Sequence, residues 1–211
     1  MRTWPDLQFE LPLWESGLVF VAGLDEAGRG AWAGPVSAGA VILPADPQIQ
    51  RRLAGVRDSK QMSPPQRVRW AAAIMELALA WQVGFSTSHE VDRLGIVPAT
   101  RLAMRRALEG LSVVPGHLLI DALLLREVEL PQTALIKGDS RSLSIAAASV
   151  LAKTARDALM VEQDAIYPGY GFARHKGYGT RMHRAALDAL GPCRIHRGTF
   201  RPVRERAESL F

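Results

Sequence analysis

An apolar run, residues 18–24, ends on two adjacent carboxylates, Asp25 and Glu26, which open onto a loop carrying Gly28, Gly30 and Gly34. A second apolar run, residues 36–43, follows the loop, so the two read as a hairpin with a long connection. Neighbouring side chains on a regular strand point to opposite faces. Both acids therefore serve one site only where the strand ends or bulges, or where one acts through its backbone. Glycines permit such a turn and let a bulky ligand approach the main chain. Arg29 adds a fixed positive charge beside the acids. Carboxylates for a metal beside donors for a phosphate point to phosphodiester chemistry, whereas Asp25-Glu26 taken alone reads as a charged turn after an edge strand.

Turn residues place the remaining elements. Ser63 followed by Pro64 and Pro65 starts a helix that runs to Ala80. Residues 81–87 read as a strand, Thr87 or Ser88 opens a short helix ending near Gly95, and Pro98 starts another to about Leu111. Residues 117–122 and 133–137 are short strands bracketed by Pro115-Gly116, Pro131 and Gly138. A long helix covers Ser142 to about Ala165, its alanine-rich core implying close packing on a sheet, and a last helix runs from Thr180 to Leu190. Strands first, then strands alternating with helices, imply an α/β sheet of mixed direction flanked by helices. The turn cluster at residues 167–171 divides a domain of residues 1–170 from a helical extension, residues 171–211, packed on it.

Two more acids stand at strand ends. Asp121 closes the run Leu118-Leu119-Ile120, and Asp139 follows residues 134–138 and precedes the long helix. Alone, Asp121 reads as a solvated strand end and Asp139 as a helix N-terminal acid favoured by the macrodipole. Together with Asp25 and Glu26 they read as a site for Mg²⁺ or Mn²⁺, which take oxygen ligands. Two such ions roughly 3.5–4 Å apart activate a water and stabilise the leaving oxygen of a phosphodiester.

Charge distribution agrees with a polyanionic partner. Residues 171–206 hold nine Lys or Arg against two acids, while the rest of the chain holds seventeen against nineteen. Cys193 is the only cysteine, which excludes an internal disulfide and fits a cytoplasmic protein. No apolar run reaches membrane-spanning length, and Asp6, Glu10 and Glu15 argue against a secretory signal.

Weaker patterns yield plainer readings. His175, His183, Cys193 and His196 lack a second close ligand pair for zinc. Ser149 and Lys153 have the spacing of a nucleophile pair, but the apolar setting of Ser149 makes it a packing serine. The Arg101, Arg105, Arg106 face reads as solvated, and residues 209–211 as a frayed terminus.

Read together, these residues resemble the bacterial ribonuclease HII family. Its opening signature is met at Asp25-Glu26-Ala27-Gly28-Arg29-Gly30 with Gly34-Pro35. Later signatures follow in family order: Asp58-Ser59-Lys60, Lys137-Gly138-Asp139, Ser144-Ile145-Ala146-Ala147-Ala148-Ser149, His175-Lys176-Gly177-Tyr178-Gly179-Thr180 and Ile195-His196-Arg197. The resemblance implies a ribonuclease H-like fold with a small C-terminal helical extension. It implies an endoribonuclease that cuts the RNA strand of RNA–DNA hybrids and acts 5′ of ribonucleotides embedded in duplex DNA. The implied products are a 3′-hydroxyl and a 5′-phosphate. Asp25, Glu26, Asp121 and Asp139 map to the metal-binding acids, and Gly28-Arg29-Gly30 to contacts around the ribonucleotide. Tyr178 maps to the sugar at the RNA-to-DNA junction, with Lys60 and Lys176 as further substrate contacts. Nothing in the sequence calls for an obligate protein partner, and a monomer is expected. Two departures stand out: Ala31-Trp32 replaces the usual Pro-Leu, and Ala122 the usual Gly.

Two rival classes fit less well. A sugar-kinase or actin-like ATPase requires a second glycine-rich phosphate loop and a nucleoside pocket, and the sequence offers neither. A binding module without catalysis fits the basic segment, but four acids near a polyanion work against binding.

Overall fold

The computed structural model describes residues 4–208, so residues 209–211 lie outside it. In chain order the elements are α1 (Glu10–Glu15), β1 (Val21–Ala27), β2 (Val36–Ile42), α2 (Ile49–Arg52), α3 (Pro64–Leu77), β3 (Ala80–Ser86) and α4 (Ser88–Leu94). They continue with α5 (Ile96–Glu109), β4 (His117–Asp121), β5 (Gln132–Leu135), α6 (Leu143–Ile166), α7 (Phe172–His175), α8 (Arg181–Leu190) and α9 (Arg201–Glu208). The strands form one sheet in the order β3-β2-β1-β4-β5. β1, β2 and β3 pair antiparallel, whereas β4 and β5 run parallel to β1. This is the mixed α/β sheet expected from the sequence.

Alternation along the strands builds a core on each face. Val21, Val41 and Leu119 join Ile145 and Ala148 of α6 and Ile74 of α3. Ala22, Leu24, Ala40 and Ile120 join Ala99, Ala103 and Met104 of α5 on the other side. The alanine-rich start of α6 lies so close to β1 that a Cβ on Gly23 would stand 2.2 Å from the Ser144 carbonyl carbon. Only glycine fits there.

Several helix ends follow the sequence reading. Ser63 and Gln66 form a capping box at α3, and Thr87 does so with Glu90 at α4. Ser142 and Thr180 accept hydrogen bonds from Ile145 and His183 at the starts of α6 and α8. Other boundaries move. α3 ends at Leu77 because Ala80 is already paired with Ile42. α5 starts at Ile96 after Gly95, so Pro98 lies in its first turn, where a missing N–H is harmless. Residues 18–20 are exposed, and β1 both begins at Val21 and ends at Ala27, three residues later than expected at each end, which places Asp25 and Glu26 inside the strand. β5 ends at Leu135; Ile136 is exposed and Lys137 turns left-handed.

Candidate active site

Sheet pairing brings two neighbouring acids to one place. β1 pairs with β4 only as far as Leu24 with Ile120, while its pairing with β2 continues through Asp25–Gly39 and Glu26–Ala38. β4 ends on Asp121. The strand thus continues on one side and has lost its neighbour on the other. Carboxylate oxygens of Asp25, Glu26 and Asp121 all lie within 4.8 Å of one another. Asp25 Oδ1 accepts from the Glu26 N–H at 2.7 Å, Glu26 Oε1 from Arg29 Nη1 at 3.0 Å, and Asp121 Oδ1 from the Gly138 N–H at 2.7 Å.

Asp25 Oδ2 and Glu26 Oε2 are buried and accept no hydrogen bond. Such atoms are costly to leave unsatisfied, and an oxygen-only donor set suits a hard divalent cation. The residues fit that group. Burial, followed by the charges of Glu26 and Asp121, pushes the Asp25 carboxyl well above the ordinary carboxylate range. Burial likewise raises Glu26, with Arg29 opposing.

Asp139 lies beside these three rather than among them, buried in a 3-10 turn at Gly138–Ser140. Lys60 Nζ stands 3.6 Å from Asp139 Oδ2 and 3.9 Å from Asp58 Oδ1. Burial opposes the Lys60 charge, but Asp25, Asp58, Asp139 and Asp121 outweigh it and raise its pKa. Asp139 itself is raised to about 6, first by burial and then by Asp58, with Lys60 opposing. An acid raised in the folded state binds a proton that the unfolded chain has released, so stability falls as pH rises from the ordinary 3.8 through about 6. Without divalent metal, Asp139→Asn is therefore expected to melt a few degrees higher than the parent at pH 8. That gain should vanish below pH 4; a gain independent of pH, or none at pH 8, would show that burial and the neighbouring acids do not disfavour the Asp139 charge.

The glycine loop joins this cluster to the C-terminal segment. Gly28 has φ +93°, and a Cβ there would meet Arg156 Nε at 2.0 Å. Gly30 is exposed, with open space where a side chain would stand. Ala31 bridges to Tyr178, Ala33 bridges to His196, and the Trp32 N–H donates to Gly177 O at 2.8 Å. Half-buried Tyr178 lies under two cations, Lys153 Nζ at 5.0 Å and Arg156 Cζ at 5.3 Å from its ring centroid. It lines a cavity of about 460 Å³ with Arg67, Lys153, Asp157 and Lys176. The Lys176 ammonium turns back onto the Ala173 carbonyl.

Sequence reasoning missed the buried partners of these residues. Ser149 shares a 2.9 Å hydrogen bond with Ser59, bracing α6 against the Lys60 segment, while Lys153 pairs with Asp157. Buried Ser149 also favours the ionised form of Asp25, against burial, so it serves the cluster as well as the packing. The histidines occupy their ring nitrogens with one another and with the chain: His183 Nε2 to His196 Nε2 at 3.0 Å, His183 Nδ1 to Tyr178 O at 3.1 Å, His196 Nδ1 to Cys193 Sγ at 3.1 Å. Burial holds His183 and His196 down at about 4, as neutral packing groups.

The ribonuclease HII family model matches residues 22–203 of the chain. The chain belongs to the ribonuclease HII family. It is 52% identical over 209 residues to ribonuclease HII of Chloroflexus aurantiacus, covering 98% of each protein. It is 53% identical over 199 residues to ribonuclease HII of an Anaeromyxobacter species, covering 94% of this chain and 62% of that longer protein. Among solved structures, the ribonuclease H2 of Pyrococcus horikoshii superposes with a TM-score of 0.75 at 26% identity, covering 90% of this chain and 97% of that one. The fold is therefore ribonuclease H-like.

Both departures from the ribonuclease HII pattern have a visible place. The Trp32 ring lies 5.4 Å from the His183 ring and under Arg184 at 5.3 Å, packing the loop onto α8. Ala122, directly after Asp121, is left-handed at φ +55°, a conformation that strains alanine and suits glycine. Ala122→Gly is expected to stabilise the protein by about 0.5–1 kcal/mol in urea unfolding. An unchanged or lowered midpoint would show that the turn relaxes around alanine without strain.

Proposed function

We propose that this chain is an endoribonuclease that hydrolyses the RNA strand of RNA–DNA hybrids and cuts 5′ of ribonucleotides embedded in duplex DNA. The observation that carries the reading is the convergence of Asp25, Glu26 and Asp121, with two buried orphan oxygens, beside an open glycine loop in a ribonuclease HII chain. With Asp139, these acids hold Mg²⁺ or Mn²⁺. When bound, such a cation would supply the positive charge that activates water and steadies the leaving oxygen. The water oxygen joins phosphorus as the bond to the ribose or deoxyribose 3′-oxygen breaks, leaving a 3′-hydroxyl and a 5′-phosphate.

The chain's own groups fix the substrate. Lys60 balances the acids and approaches a phosphate; Arg29, held by Glu26 at 3.0 Å, offers its remaining N–H groups to another. Gly28 makes room for the Arg156 side chain behind the loop, exposed Gly30 lets the substrate backbone come close, and Tyr178 meets the sugar at the junction. The 2′-hydroxyl is what tells RNA from DNA here. Residues 1–170 supply the chemistry, and residues 171–211 supply Tyr178, Lys176 and a basic face. The enzyme works as a cytoplasmic monomer, a reading that the lone cysteine, Cys193, suits.

Charge reversal at Lys176, Arg181 and Arg184 tests the nucleic-acid face. Binding to all duplexes should weaken about equally, and the slope of log affinity against log salt should flatten by roughly one unit per lost phosphate contact. An unchanged slope would leave this face merely solvated. The assay that tests the activity itself is cleavage of a labelled duplex with one ribonucleotide, with Mg²⁺ and Mn²⁺ compared.

A further inference from the structure

Two arginines are fully buried behind the glycine loop, and neither has a carboxylate within ion-pair distance among the described residues. Arg156, on α6, donates from Nε to Pro35 O at 2.8 Å, from Nη2 to Ala33 O at 3.1 Å and from Nη1 to Lys176 O at 2.9 Å. Arg197 donates from Nε and Nη2 to Gly34 O at 3.0 and 2.9 Å, and from Nη1 to Arg29 O at 2.9 Å. Burying a charge with only carbonyls for company is expensive, and an apolar side chain would fold at lower cost. The two cations also repel: burial, then Arg156, lowers Arg197 to about 9.

What the pair gains is orientation. A planar guanidinium donates along fixed directions, so five of the six bonds pin loop carbonyls and the sixth ties the turn before Tyr178 to the same bolt. In a trans peptide the C=O and the following N–H point opposite ways, and no peptide here is cis. Holding the Arg29 carbonyl inward on Arg197 thus turns the Gly30 N–H outward. Among the described residues that N–H has no acceptor, and Gly30 is exposed. Arg156 meanwhile lies over the Tyr178 ring while holding the loop.

We propose that Arg156 and Arg197 are positioning residues that clamp the Gly28–Gly30 loop and the Tyr178 turn into one rigid reader of a ribose and its phosphate, aiming the Gly30 amide at the substrate without touching it themselves. The inference rests on the assignment of Gly30 and Tyr178 as substrate contacts. It predicts that charge is not enough: lysine keeps the charge but loses the fork.

Cleavage of a single-ribonucleotide duplex and of a continuous hybrid is to be measured for Arg156→Lys and Arg197→Lys, each alone and combined with Tyr178→Ala, with melting temperatures alongside. Each lysine variant should lose about 10²-fold in kcat on the single ribonucleotide, as expected for small misplacement of reacting groups, with KM little changed and a smaller loss on the hybrid. In the Tyr178→Ala background, Arg156→Lys should no longer alter the ratio of the two activities. Wild-type ratios in both lysine variants, or equal losses on both substrates, overturn the proposal. If Tyr178→Ala leaves the ratio unchanged, the assignment of Tyr178 fails instead, whatever the lysine variants do. Should a lysine variant not fold, amide exchange on the wild-type protein decides: with Ca²⁺ and a ribonucleotide-bearing duplex the Gly30 N–H should become protected, and continued free exchange contradicts the clamp.

Discussion

Asp121→Asn should lower cleavage by about 10³-fold or more, with fold and duplex binding nearly intact. Asparagine keeps the Oδ1 that accepts the Gly138 N–H at 2.7 Å, so the turn carrying Asp139 stays in place. What it removes is one negative charge from a cluster whose oxygens lie within 4.8 Å of one another. The loss should appear in kcat, because the charge acts on the metal rather than on the bound duplex. Calorimetric titration with Mn²⁺ should show weaker binding in the same variant. Near-normal turnover by a folded Asp121→Asn protein would remove Asp121 from the metal site.

Tyr178→Ala should cost most of the activity on a single embedded ribonucleotide and proportionally less on a continuous hybrid. An embedded ribonucleotide differs from its neighbours only by its 2′-hydroxyl and the pucker it favours. A site built to hydrogen-bond that hydroxyl can reject deoxyribose by roughly 10⁴-fold, provided the sugar is held against a fixed surface. The Tyr178 ring is such a surface, fixed by the Ala31 bridge and by Lys153 and Arg156. A continuous hybrid offers 2′-hydroxyls at every step and depends less on any one sugar. Equal losses on the two substrates would reduce Tyr178 to a packing residue.

The convergence of Asp25, Glu26 and Asp121 was legible in the sequence because each closes an apolar run, and neighbouring strands of a sheet bring such positions together from distant parts of a chain. The exact end of β1 was not legible. Residues 18–20 are as apolar as residues 21–24, and only the register against β4, which starts at Val21–His117, and the Gly116–Phe20 bond show where the strand begins. The short helices α1, α2, α7 and α9 went unread, since four to eight residues carry too little periodicity to announce themselves. The basic segment misled in a more instructive way. Arg197 was counted toward a surface for polyanions, yet it is buried on loop carbonyls; Arg201, Arg204 and Arg206 pair with Glu205, Glu208 and Asp188. Charge counts register the side chain, not its partner, so Arg174, Arg181, Arg184 and Arg194 remain as the exposed basic residues of residues 171–197.

Cleavage of a DNA duplex containing one ribonucleotide, end-labelled on that strand, tests the central claim most directly. With Mg²⁺ or Mn²⁺ a single cut should fall on the 5′ side of the ribonucleotide, leaving a 3′-hydroxyl upstream and the ribonucleotide with its 5′-phosphate downstream. The all-DNA duplex should stay whole, and chelation of divalent ions should stop the reaction. Cutting that persists in chelator, or that falls on the 3′ side of the ribonucleotide, would contradict the account.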